Sequence, residues 1–229
     1  MTELAKMGSE STRKIFTNHG APKEMFGVKV GDMKTIVKKV KVNYELSLEL
    51  FDTGNSDAMY LAGLISDPAK MTKKDLQHWA EHATWYMITE YAVAWTAAES
   101  PFALEMANKW IKSKDEKIAT TGWSTYCSYI GITPNENLDL KEISNYIDHI
   151  EKVIHQSPNR VRYCMNTFLI SAGGYIPKLR TQAIQAAKKI GKISVEMGGT
   201  ACKVPEVKPY IDKMVERGSD LKKKKTAKC

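Results

Sequence analysis

Apolar residues recur every three or four positions along most of this chain, and strict apolar–polar alternation is almost absent. The i, i+3, i+4, i+7 rhythm marks one face of an α-helix. It predicts helices over residues 2–18, 31–42, 44–52, 56–66, 72–82, 84–98, 101–112, 115–130, 139–156, 159–172, 177–190 and 205–217. Pro101, Pro158, Pro177 and Pro205 read as first helical residues, where a missing N–H costs nothing. The stretch "GKISVEMGGTACKVPEV" fits the rhythm poorly and reads as a structured link to a last helix.

Many of these helices come as pairs with short links. "ELSLELFDTGNSDAMYLAGLISD" is a helix, a Gly-Asn turn and a helix, and "PFALEMANKWIKSKDEKIATTGWSTYCSYI" repeats the arrangement. "LKEISNYIDHIEKVIHQSPNRVRYCMNTFLI" is a third version. Antiparallel pairs recurring at about 40–47 residues point to a HEAT-like stack. Such a superhelix curves and offers a concave face. The repeats are degenerate, so a plain helical bundle is the alternative. The expected architecture is an all-α, HEAT-like superhelical stack forming one domain over residues 1–219.

Composition supports a self-sufficient fold. With 229 residues, 43% hydrophobic and 26% charged, the chain buries roughly 70% of its unfolded surface and needs no disulfide or metal staple. Cys127, Cys164, Cys202 and Cys229 show no CxxC spacing, so no zinc site or redox pair is read, and the usage suits a reducing cytoplasm. The N-terminus is charged and periodic rather than a signal peptide. No apolar run approaches ~18 residues, so no membrane span is expected.

Charge changes the picture. The net charge is +8, and the Lys-rich end "DLKKKKTAKC", residues 220–229, reads as a solvated, disordered arm. Residues 158–192 hold seven Lys or Arg and no Asp or Glu. On the wheel, Val161, Cys164, Met165, Phe168, Leu169 and Ala172 form the core stripe. Arg160, Arg162, Tyr163, Asn166 and Thr167 fall opposite. Gly173 and Gly174 then read as a helix break, followed by Lys178, Arg180, Lys188, Lys189 and Lys192. Excluding acids from such a stretch costs self-repulsion, which a polyanion would offset. The expectation is a basic concave face for double-stranded DNA, against a solvated face that happens to lack acids.

The helix over 84–98 carries one charge, Glu90, among Trp85, Tyr86, Tyr91 and Trp95. Burial there raises a carboxyl pKa unless a cation lies beside it. Glu90 is therefore either a functional acid or half of a structural ion pair. Thr120, Thr121, Ser124, Thr125 and Ser128 cluster on one helix and read as a close-packing face, with phosphate contact as the alternative. His78 and His82 lie four apart, but "HWAEH" is not HExxH and shows no third ligand, so no metal is expected. No Walker loop, dinucleotide fingerprint or nucleophile–histidine arrangement is readable, and no cofactor is expected.

"GSESTRKIFTNHGAPKEMFGVKVGDMKTIVKKVK", "SLELFDTGNSDAMYLAGLISDP", "PNRVRYCMN" and "KKIGKISVEMGGTACKVPEVKPYI" together resemble the DNA alkylation repair family, the AlkD-like proteins, from about Gly8 to Arg217. The resemblance implies a HEAT-like stack whose basic concave face holds duplex DNA. It also implies excision of cationic alkylated purines such as 3-methyladenine and 7-methylguanine. Active members carry a Trp followed four residues later by Asp. Here Trp85 is followed at that spacing by Thr89, and Tyr86 by Glu90. The family's Arg falls at Thr120. The catalytic set that the resemblance allows is thus Glu90 with Trp85 and Tyr86, and the DNA-binding set is Arg160, Arg162, Tyr163, Asn166, Lys178, Arg180, Trp123 and Lys203. Three readings stand: an alkylpurine glycosylase, a non-catalytic DNA binder and a protein-binding scaffold.

Overall fold

The computed structural model describes residues 1–228, and every regular element among them is helical. The first predicted helix is two: α1, Thr2–Met7, and α2, Glu10–Asn18. They part at Gly8, where a Cβ would lie 2.3 Å from the Phe26 carbonyl oxygen, so only glycine admits the following loop. Ser9 then caps α2 by accepting the Thr12 N–H. After that loop come α3, Val30–Val40, α4, Tyr44–Asp52, and α5, Ser56–Ile65. The buried Asp57 carboxylate of α5 holds the loop, accepting the backbone N–H groups of Phe26 (2.6 Å), Gly27 (3.0 Å) and Val28 (2.8 Å). Helix α6, Lys73–His82, opens with a capping box between Thr72 and Asp75.

The single helix expected over 84–98 is interrupted. Ile88–Val93 winds as a π-helix, and α7, Ala94–Glu99, follows. A π turn places residue i+5, rather than i+4, over residue i. Tyr91, within it, meets Tyr86 edge to face at 6.5 Å and Trp95 at 5.3 Å. Gly63 of α5 lies against this segment so closely that a Cβ would sit 2.7 Å from the Ala92 Cα.

The second half comprises α8, Ala103–Ile111, α9, Glu116–Ile132, α10, Leu140–Val153, α11, Asn159–Tyr175, α12, Arg180–Ile190, and α13, Val207–Glu216. The pairs α4/α5, α8/α9 and α11/α12 pack through short links, and α9 against α11 joins successive pairs into a stack. Pro158 stands just before α11, Pro101 and Pro205 two residues before α8 and α13, and Pro177 opens a 3-10 turn. Gly173 and Gly174 do not break α11. A methyl at Gly173 would lie 2.4 Å from Ile211 Cδ1, and one at Gly174 2.4 Å from Met214 Cε, so the pair lets α13 lie against α11.

Two apolar clusters fill the stack. One surrounds the stacked rings of Phe51 and Trp79, 4.4 Å apart; the other surrounds Trp123, Tyr126 and Phe168. Tyr129 packs against both. The C-terminal end corrects the expectation of a solvated arm. Lys223 Nζ donates to the Ile130 carbonyl (2.8 Å) and lies over the Tyr175 ring, and Lys228 Nζ donates to the Ser66 carbonyl (3.1 Å) beyond α5. The Ala227 N–H donates to Glu99 at 2.6 Å. Helix C-termini present unpaired carbonyls with partial negative charge, and the tail's ammonium groups satisfy them. Cys229 lies outside the described residues. No helix among the described residues is long and apolar enough to cross a membrane.

Candidate functional site

The π-helical segment, the starts of α9 and α11 and the irregular strap 191–206 enclose a cavity of about 550 Å³. Trp85, Tyr86, Glu90, Arg160, Tyr163 and Lys203 all border it. Six residues singled out in the sequence are thus brought together. A smaller cavity of about 320 Å³ adjoins it, bordered by Tyr175, Lys224 and Ala227, and Glu90, Tyr91 and Tyr163 border both.

Arg160 occupies the centre. Its Nε donates to Glu90 Oε1 at 2.8 Å and its NH2 to Oε2 at 2.6 Å, a two-pronged pair. The guanidinium carbon lies 4.6 Å from the centre of the Tyr86 ring and 4.4 Å from that of Tyr163. Its remaining NH1 points at Met197 Sδ, 3.6 Å away on the strap. The Arg160 backbone N–H donates to Glu116 Oε1 at 2.6 Å, so α9 supplies the cap that Pro158 does not give α11.

Glu90 is buried, its side chain 6% exposed, and Arg160 is 22% exposed. Burial pushes the Glu90 carboxyl up to about 7, and Arg160 pulls against that. Arg160 itself is raised: burial lowers it, and the Glu90 charge more than offsets this. Both carboxylate oxygens accept from the guanidinium, which is the geometry of an ion pair once the carboxyl is ionised. Of the two alternatives for Glu90, the ion pair is the one found.

Trp85 and Tyr86 precede the π turn, and the Thr89 N–H donates to the Trp85 carbonyl at 3.1 Å, so the Trp85–Thr89 spacing is α-helical. Thr120 borders the same cavity, but its hydroxyl donates back to the Lys117 carbonyl at 2.8 Å; the guanidinium in the cavity comes instead from α11. Thr121 and Thr125 are buried and bond back along α9 in the same way, as a packing face does.

Other expected interface residues lie elsewhere. Trp123 is buried in the second cluster against Tyr146 and Phe168, because α9 is covered on that side by α10 and α11. Asn166 is buried, its Nδ2 donating to the Pro205 carbonyl at 2.9 Å, because α13 covers the side of α11 that the wheel leaves open. Arg180 turns inward, to the Gly173 carbonyl at 3.1 Å and to Asp220 at 2.7 Å. Arg162 is half-buried, with a 3.3 Å contact to Asn159 Oδ1 and its Nε unpaired. Lys178 and Lys203 are exposed.

The acid-free segment is therefore not free of acids in space. Arg160, Arg180 and Lys189 meet Glu90, Asp220 and Glu151, all from outside it. Glu116 and, apart from Lys203, the strap residues Glu196 and Met197 were not singled out in the sequence. Asn159 clasps that strap, its amide bonding both the carbonyl and the N–H of Glu196. His78 Nε2 lies 2.7 Å from Asp52, and among the described residues no three His, Cys, Asp or Glu could hold a metal ion.

Comparison with known proteins agrees with the fold. Residues 1–200 match the model of the family described as DNA alkylation repair enzyme. The uncharacterized protein Lin0241 of Listeria innocua serovar 6a is 36% identical over 222 residues, 94% of this chain and 96% of that protein. Lmo0209 of Listeria monocytogenes serovar 1/2a, also uncharacterized, is 35% identical with the same coverage. A solved structure described as "a new family of proteins related to the HEAT-like repeat DNA glycosylases with affinity for branched DNA structures" matches with TM-score 0.90 and 38% identity. That match covers 100% of this chain and 97% of the other, and the stack of helix pairs is HEAT-like. With a family match over most of its length, the chain belongs to the DNA alkylation repair enzyme family.

Proposed function

We propose that this protein binds DNA, prefers branched or distorted duplex to linear duplex, and leaves the glycosidic bond intact. The observation that carries this reading is the state of Glu90. Excision of a cationic purine develops positive charge on the sugar, which an unpaired carboxylate stabilises. Here both Glu90 oxygens are engaged by Arg160, and the guanidinium adds positive charge where that cation would form. The affinity for branched DNA described for the 38%-identical structure supports the choice of ligand. Exposed Lys178 and Lys203 and half-buried Arg162 are the groups proposed to meet phosphates.

The second reading is excision of N3- or N7-alkylated purines by Glu90 with Trp85 and Tyr86, and the aromatic wall of the cavity favours it. One assay separates the two. On methylated duplex, the protein should release no 7-methylguanine above the spontaneous rate while retarding branched DNA. Release that is lost in Glu90→Gln would establish the second reading.

A further inference from the structure

Arg160 is placed as a bound ligand would be. Its guanidinium is flat, delocalised and positive, lies over the rings of both Tyr86 and Tyr163, and sets one edge on both oxygens of a buried carboxylate. Two aromatic faces and a carboxylate are the general means of holding a planar organic cation. The start of α11 is anchored separately, through the Arg160 backbone and Glu116. Cavity space adjoins the slot on both sides, about 550 Å³ at Arg160 and about 320 Å³ beyond Glu90 and Tyr163. With the arginine side chain removed, the slot would admit a group larger than a guanidinium.

We infer that the Tyr86–Glu90–Tyr163 slot is a binding site for a planar, delocalised organic cation, and that the chain keeps it filled with its own Arg160. The inference builds on the DNA-binding reading, since the filled slot is what holds Glu90 away from chemistry. Its test uses no DNA, so either can fail without the other. No bond forms or breaks: Arg160 and the external cation compete for the same carboxylate and the same two rings.

Arg160→Ala empties the slot, and ethylguanidinium is the probe. Tetramethylammonium, equally charged but round, and sodium chloride at matched ionic strength are the controls. The melting temperature of Arg160→Ala should rise with ethylguanidinium by about 3–6 °C at tenfold excess over its Kd. Tetramethylammonium should not reproduce the rise. Neither the unaltered protein nor the double variant Arg160→Ala, Glu90→Gln should respond. No rise in Arg160→Ala, an equal rise with tetramethylammonium, or the same rise in all three proteins would overturn the inference. Should Arg160→Ala not fold unaided, refolding with ethylguanidinium reads the same property. Recovery of the helical circular dichroism then supports the site, and failure to recover overturns it.

Discussion

Arg160 reaches back 70 residues along the chain to hold both oxygens of Glu90. The pair ties the start of α11 to the π-helical turn, two elements that nothing in their local sequence joins. Removing one partner of a buried pair strands the other charge, at a cost of about 3–5 kcal/mol. Arg160→Ala should lose stability of that order at pH 8 in urea unfolding. Replacing both, as Arg160→Met with Glu90→Leu, should recover most of the loss. A double variant as unstable as the single would show that the cost lies in packing rather than stranded charge.

The same pair predicts a pH dependence. The Glu90 carboxyl lies at about 7, above its ordinary 4.5, because burial outweighs the pull of Arg160. A carboxyl raised in the folded state favours folding fully below 4.5, and that contribution is lost as pH rises through 7. Measured against Glu90→Gln, which cannot titrate, the unaltered protein should lose melting temperature between pH 5 and pH 8. Parallel curves would mean that Glu90 titrates alike in both states.

Asp57 carries the loop that seats α1 and α2. Its carboxylate accepts three consecutive backbone N–H groups, at Phe26, Gly27 and Val28. Asp57→Ala leaves buried donors without partners, and the loss should be at least about 3 kcal/mol. Hydrogen exchange should quicken first at residues 26–28. Unchanged exchange there would place the loop's support elsewhere.

The tail should act as a clasp. Truncation after Ser219 removes the ammonium groups that cap α5 and α9, the Glu99 contacts and the Asp220–Arg180 pair. The shortened chain should fold with a melting temperature about 4–8 °C lower, the equivalent of about 2 kcal/mol. An unchanged melting temperature would return the tail to the solvated arm that its lysines suggest.

Helix content and the stack were legible because apolar spacing reports helices directly. Four failures share one cause: each needed a neighbour that is distant in sequence. The wheel placed Asn166 outside because it knows nothing of α13, which covers it. Gly173 and Gly174 read as a break because their reason, the approach of Ile211 and Met214, lies some forty residues on. The absence of acids over 158–192 was real, yet Glu90, Asp220 and Glu151 come to it in space. Trp123 fell in the same way, its helix being covered by α10 and α11. Glu90 fared better. Its isolation among aromatics singled it out, it borders the cavity, and the ion pair was one of the two alternatives the sequence left open. The π turn was invisible, since its extra residue leaves the apolar rhythm almost unchanged.

The proposed preference for branched DNA is measured by the affinity for a four-way junction against linear duplex of equal length, across a salt series. The junction should be bound more tightly, with log Kobs falling linearly with log salt at a slope of about −0.9 per phosphate neutralised on duplex arms. Lys203→Ala should reduce that slope by about 1. Binding that ignores salt, or equal affinity for junction and linear duplex, would contradict the proposal.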